Sequence, residues 1–284
     1  LGLGWGMSPV MIGLLLVSLG TDFPEIINSI MSSALGHLDI NVGDSLGSVL
    51  TQMTLILGIL PFLGGKFKVK RKEVVIIGSC EVLALMLAVS IAEKGYISRI
   101  NALFLVVSWP ILMLLTRSAL AKNSSLRKER IAESTSGKHL RHFLIAFLGF
   151  VGVAIGAFIM IESVITLSAF FDVSEYLISF FIVAVGTSLP ELVVELTAIR
   201  RKEYEVAIGD AIGSCVVDAC FSIGIGPLFF PGAVSGGLIH VTGLYAILGS
   251  VLVILTLALG ERVNKIVGAF FILLYLLSYA TLYA

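Results

Sequence analysis

The amino-acid sequence predicts an all-α polytopic membrane protein built from inverted five-plus-five helix repeats. Three observations carry that prediction: a composition too apolar for water, a series of apolar runs each near bilayer thickness, and a pair of motifs that recurs once at a constant offset. Of the 284 residues, 57% are hydrophobic and 13% charged, against about 45–50% and about 25% in soluble domains. Lys+Arg and Asp+Glu each number 19, so no basic excess recruits nucleic acid. Cys80, Cys215 and Cys220 all lie in apolar runs and make neither a disulfide framework nor a zinc spacing, which excludes a small secreted domain.

The apolar runs fall at about 8–31, 42–63, 73–92, 98–117, 142–166, 175–199, 206–227, 240–260 and 264–283, and a run of about 20 residues suffices to cross a bilayer. The long polar stretch 118–141, with Lys122, Arg127, Lys128, Arg130, Lys138 and Arg141, reads as a linker between a first repeat (1–117) and a second (142–284). Lys and Arg fall unevenly between alternate loops, 17 on one side and 2 on the other. By the positive-inside rule, segments 64–72, 117–141, 200–202 and 262–265 are cytoplasmic, and the C-terminus lies outside the cell membrane. The opening Leu1-Gly-Leu-Gly-Trp-Gly-Met has neither a charged leader nor an initiator Met. A helix preceding Leu1 would complete five plus five.

Gly20-Thr21-Asp22-Phe23-Pro24-Glu25 recurs as Gly186-Thr187-Ser188-Leu189-Pro190-Glu191, an offset of 166. At the same offset, Gly43-Asp44-Ser45-Leu46-Gly47-Ser48 recurs as Gly209-Asp210-Ala211-Ile212-Gly213-Ser214, and Gln52 aligns with Asp218. The loop after the first copy is non-basic, whereas the second is followed by Arg200-Arg201-Lys202. The copies therefore cross the membrane in opposite senses, and inverted repeats place a binding site at mid-membrane where the halves meet.

Nine acids fall inside the spans beyond their end residues: Asp22, Glu25, Asp44, Glu81, Glu162, Glu191, Glu195, Asp210 and Asp218, whereas Lys and Arg occur there only at rims, as Arg99, Arg117 and Lys265. A charge at the centre of a span costs roughly 2.5–3.5 kcal/mol on insertion scales, so each acid needs a proton, a bound cation or a hydrogen-bond network. The one-sided excess points to cations and away from an organic-anion carrier. His37, His139, His142 and His240 fall in loops or at span ends, which disfavours a histidine zinc site. Pro24 and Pro190 disrupt the turn before them and free carbonyls around Ser18–Thr21 and Ala184–Thr187. Thr21, Thr187, Glu25 and Glu191 complete oxygen-rich pockets. On the following span Asp44, Ser48 and Gln52 share a helix face, as do Asp210, Ser214 and Asp218. Carboxylate, amide, hydroxyl and carbonyl oxygens are the hard ligands that calcium takes.

This constellation resembles the α-repeats of the sodium/calcium exchangers, within the cation/calcium antiporter superfamily, on the strength of GTSLPE at 186–191 and GDAIGSCVVD at 209–218. The resemblance implies the ten-helix exchanger fold, with calcium export coupled to sodium uptake and no cofactor beyond the transported ions. Carried over by matching position, Glu25 and Glu191 are shared calcium and sodium ligands, and Asp218 and Gln52 a central polar pair. Ser48, Ser214, Thr21, Thr187 and the carbonyls of Ser18 and Ala184 form flanking sodium sites. The sequence departs from the pattern at Asp22, where Ser is usual, at Gln52, where Asn is common, and at Asp44 and Asp210, where Asn is typical.

Alternatives stay open at several positions. Asp44 and Asp210 read as helix braces or as ligands; Asp22 and Glu195 as proton carriers behind the ligands or as groups of a vestibule. Glu81 and Glu162 lie outside the repeated motifs and read as helix braces or interfacial groups. The leading functional reading is a secondary antiporter exchanging calcium for sodium by alternating access. The alternative is exchange of calcium, or another divalent cation, for protons, which the extra acids would serve. A membrane hydrolase would also pair acids, but no asymmetric nucleophile accompanies these, so the reading is a transporter and not an enzyme. A passive channel would gain its acid ring from several subunits. The expected partners are calcium and sodium ions and the lipid bilayer, with no protein partner indicated.

Overall fold

The computed structural model describes residues 8–121 and 139–280. Its helical runs are α1 (Pro9–Thr21), α2 (Phe23–Leu35), α3 (Leu38–Leu63), α4 (Arg71–Ala92), α5 (Arg99–Ala121), α6 (His139–Phe171), α7 (Glu175–Arg200), α8 (Tyr204–Phe229), α9 (Gly236–Gly260) and α10 (Lys265–Ala280). Seven of them are individually long and apolar enough to span a membrane. The pair α1 and α2, bent by 44°, passes as an eighth, and α10 is a shorter apolar helix. Each apolar run in the sequence thus becomes one of these elements. α5 continues to Ala121 and α6 starts at His139; within the expected linker, 122–138 lie outside the described residues.

The break between α1 and α2 follows from local chemistry. Pro24 has no N–H to give the helix, Asp22 takes φ −73° and ψ 7°, and Pro24 sits in the first turn of α2. The same break recurs inside α7, where Ser188 takes φ −81° and ψ 6° before Pro190. α2 then ends at Gly36, whose φ of 86° is a left-handed cap conformation that only glycine adopts at low cost.

The duplication persists residue by residue. Four π-helical turns interrupt the helices at Gly13–Val17, Thr51–Ile56, Ser179–Val183 and Val217–Ser222, and each first-repeat turn has its counterpart at the offset of 166. None of the four is foreseeable from hydrophobic spacing. Four short strands pair between repeats. β1 (Phe67–Lys68) pairs antiparallel with β4 (Arg262–Val263), and β2 (Tyr96–Ile97) with β3 (Gly232–Ala233). These two ladders are images of each other under exchange of the repeats, as a pseudo-two-fold requires.

The halves interlock through α3 and α8, each 78% buried over its apolar window. The close approach depends on glycine. A β-carbon at Gly213 would lie 2.8 Å from the Leu14 Cα, and one at Gly47 would collide with the Phe180 carbonyl, the counterpart of Leu14. Small residues of this kind let membrane helices approach at backbone distance. α6, only 17% buried over its window, packs Ile161 and Val164 against Ile178, Val183 and Ile40. On the second half of α7, Leu189 is 52% and Val193 64% exposed among the described residues.

Candidate ion-binding site

The paired helix breaks bring the two motifs together at the centre of the molecule. Asp22, Glu25 and Glu191 each offer a carboxylate oxygen within 4.8 Å of the others, and all three are buried. Two belong to the first repeat and one to the second, so the cluster exists only because the halves meet. None of their carboxylate oxygens completes a hydrogen bond among the described residues. Buried anions without partners are expensive, and these three share one small volume.

Around this centre the other expected residues fall into distinct groups. Asp218 is buried, with both oxygens unpartnered among the described residues, and lies within electrostatic range of Glu25, Asp44 and Glu191. Gln52, its counterpart, accepts a 3.4 Å bond from the Cys215 thiol at Oε1, and its Nε2 is unpartnered among the described residues. Both sit in π-helical turns, where the shifted hydrogen-bond ladder reorients side chains and which recur at functional sites. Glu195 lies within range of Asp210 and Glu191, and all four oxygens of Glu195 and Asp210 are buried without partners. Ser214 is buried beside Asp22.

The first-repeat carboxylate Asp44 is different. Its Oδ2 accepts from Asn28 Nδ2 at 2.5 Å and its Oδ1 from the Thr187 hydroxyl at 2.9 Å, with Ser48 Oγ 3.4 Å from Thr187. Asp44 is therefore hydrogen-bonded to Asn28 of its own repeat and to Thr187 of the other. The Thr21 hydroxyl instead donates within its own helix, 3.1 Å from the Ser18 carbonyl and 3.3 Å from that of Val17.

One expectation needs correction. The carbonyls of Ser18 and Ala184 are not freed by the prolines, because they accept the amides of Asp22 at 2.9 Å and Ser188 at 3.2 Å. Pro24 withholds its bond from a carbonyl four residues back, at Gly20, two residues nearer the break. Ala184 keeps a second lone pair for a cation, whereas that of Ser18 is taken by the Thr21 hydroxyl at 3.1 Å. Among the remaining acids, Glu81 is buried between α4 and α9, where Ser250 donates to it at 2.8 Å, and Glu162 is exposed on α6.

Sequence reasoning missed Asn28 and Cys215. Asn28 lies three residues after Glu25 on the same face of α2, which was a usable signal, but its counterpart is Val194, so comparing the repeats hid it. The thiol of Cys215 was legible only as an apolar filler.

The profile of the family described as sodium/calcium exchanger protein matches residues 1–117 and 141–284. The chain belongs to the sodium/calcium exchanger family. Within it, the chain is 31% identical to the inner membrane protein YrbG of Escherichia coli over 244 residues, covering 81% of this chain and 72% of YrbG. It is 26% identical to the sodium/calcium exchanger MaX1 of Methanosarcina acetivorans, covering 95% of this chain and 87% of MaX1. The fold superposes on the sodium-calcium exchanger NCX_Mj, soaked with sodium and strontium, with a TM-score of 0.69 and 26% identity, over 96% of this chain and 87% of that one. This exchanger-family chain is thus an all-α multi-pass membrane protein of a cation/calcium antiporter family.

Proposed function

We propose that this exchanger moves calcium against sodium by alternating access, with Glu25 and Glu191 as the shared ligands. The observation that carries the reading is the buried meeting of Asp22, Glu25 and Glu191 within 4.8 Å. Around them Asp218, Gln52, Ser48, Ser214, Thr21, Thr187 and the carbonyls of Ser18 and Ala184 supply the remaining oxygens. A calcium ion satisfies the carboxylates with two charges, and sodium ions, about three by the family resemblance, satisfy them with hydroxyl and carbonyl help. Ion binding cancels part of the buried charge, so the loaded site crosses the low-dielectric barrier at lower cost than the bare one. That difference is the coupling.

A cleft of about 490 Å³, lined mostly by apolar side chains, runs along α6 and reaches Pro24, Thr187 and Pro190. Sliding of the thinly packed α6 would open and close it. The repeats 1–117 and 142–284 are the two gating halves, joined by a cytoplasmic linker, with the C-terminus outside the cell membrane.

One observation favours a second reading. Asp22 lies inside the carboxylate cluster, and Glu195 and Asp210 stand nearby, so the site holds more negative charge than one calcium ion neutralises. Protons on these extra acids would balance it, and proton-driven exchange of calcium or another divalent cation follows. Radiolabelled calcium uptake into proteoliposomes, with the potential clamped, separates the two. An outward sodium gradient is expected to drive uptake in the wild type and not in Glu191→Gln. Uptake driven by an outward proton gradient and indifferent to sodium would overturn the sodium reading.

A further inference from the structure

The two repeats place the same chemistry at equivalent points but connect it differently. A threonine hydroxyl has one proton to donate. At Thr187 the shortest acceptor is the Asp44 carboxylate at 2.9 Å, with the Val183 and Ala184 carbonyls at 3.3 and 3.4 Å. A bond to a charged acceptor is the stronger one, so the proton goes to Asp44. The hydroxyl lone pairs and the spare lone pair of the Ala184 carbonyl are then left to face a cation, with Ser48 Oγ 3.4 Å away.

At Thr21 the arrangement is reversed. The counterpart of Asp44 is Asp210, whose oxygens have no hydrogen-bond partner among the described residues; the Thr21 hydroxyl lies beside Glu191 without completing a bond to it, and its shortest acceptor is the Ser18 carbonyl at 3.1 Å. That bond occupies one of the oxygens a cation would use. The cause is traceable to sequence. Asn28 donates to Asp44 Oδ2 at 2.5 Å and holds it toward Thr187, whereas the residue equivalent to Asn28 is Val194, which has no donor.

We propose that Asp44, held by Asn28, is a positioning residue that turns the Thr187 hydroxyl into a preorganised sodium ligand. The site formed by Thr187, Ser48 and the Ala184 carbonyl therefore fills at lower sodium concentration than its counterpart at Thr21 and Ser214. The proposal deepens the exchange reading and rests on its assignment of flanking sodium sites.

The test is equilibrium binding of radiolabelled sodium to the purified protein in detergent, with calcium binding measured alongside. Asp44→Ala and Thr187→Val are each expected to raise the sodium concentration for half-saturation of the tighter component about tenfold, the loss of a charge-assisted hydrogen bond. In Asp44→Ala the half-saturating calcium concentration should stay within about twofold, since Glu25 and Glu191 carry that ion and Asp44 touches it only through the Thr187 hydroxyl. The double variant should bind sodium no more weakly than Thr187→Val alone, because Asp44 acts through that hydroxyl. Asp44→Asn, which keeps one acceptor oxygen but loses the charge and the second acceptor, should fall between the wild type and Asp44→Ala. Asn28→Val, which retains Asp44 and copies the second repeat, should shift sodium in the same direction by less, and stands in if Asp44→Ala does not fold. Multiplying effects in the double variant, or equal shifts for sodium and calcium, would overturn the proposal. A wild type that binds sodium in this Asp44-dependent way without driving calcium uptake would refute the exchange reading and leave the positioning role standing.

Discussion

Asp22 is the residue on which the identity of the driving ion turns. It shares the 4.8 Å cluster with Glu25 and Glu191, while its counterpart Ser188 is a buried hydroxyl. Replacing Asp22 by Ser makes the two motifs alike at this position. The expected outcome is sodium-driven calcium uptake that persists, together with loss of any proton-driven component, read in proteoliposomes at fixed potential. Glu25→Gln and Glu191→Gln should each reduce uptake about a hundredfold or more, since a neutral amide replaces a charged ligand, while the protein remains monodisperse in detergent. Legibility at this scale is uneven for a physical reason. Glu25 and Glu191 announce themselves because a carboxylate after Pro, in an apolar run, is repeated. The pairing of Asn28 with Asp44 is not legible, because it joins two helices and is present in one repeat only.

At the scale of elements, the breaks at Asp22 and Ser188 follow from Pro24 and Pro190, and the nine apolar runs map onto helices within a few residues. The π-helical turns at Thr51–Ile56 and Val217–Ser222 escape sequence reasoning because no residue preference marks them. They arise where α3 and α8 are gripped from all sides by the other repeat. That grip predicts sharp sensitivity at the glycine contacts. Gly213→Val would push a side chain into the backbone of Leu14, at 2.8–2.9 Å from its Cα and oxygen, and should cost about 1–3 kcal/mol or more by overpacking. Gly237→Ala, where nothing lies within 4 Å, should leave the melting temperature nearly unchanged. Thermal unfolding in detergent followed by tryptophan fluorescence distinguishes them. Glu81, tied to Ser250 across α4 and α9, belongs to the same scale: Glu81→Leu removes a buried bond and should lower thermal stability by about 1–3 kcal/mol, with calcium binding retained.

For the whole molecule, the governing feature is that each structural device occurs twice in opposite orientation. The strand pairs β1 with β4 and β2 with β3 tie the repeats together at two ends, and the site lies between them. The basic-residue asymmetry predicts that the turn at Gly36 and the turn at Lys202 face opposite sides of the membrane. A single cysteine placed at each position, in a background lacking the native thiols, should be labelled by an impermeant maleimide in intact cells at 36 and only after permeabilisation at 202. Both labelled from outside would contradict the inverted arrangement.

The central claim is that calcium and sodium compete for one carboxylate centre built by both repeats, and equilibrium calcium binding measured across a sodium titration tests it most directly. The account predicts that sodium displaces calcium competitively with a Hill coefficient above one, and that Glu191→Gln, on one repeat, and Glu25→Gln, on the other, each abolish the calcium binding being displaced. Calcium binding unaffected by sodium, or retained in either variant, would contradict it.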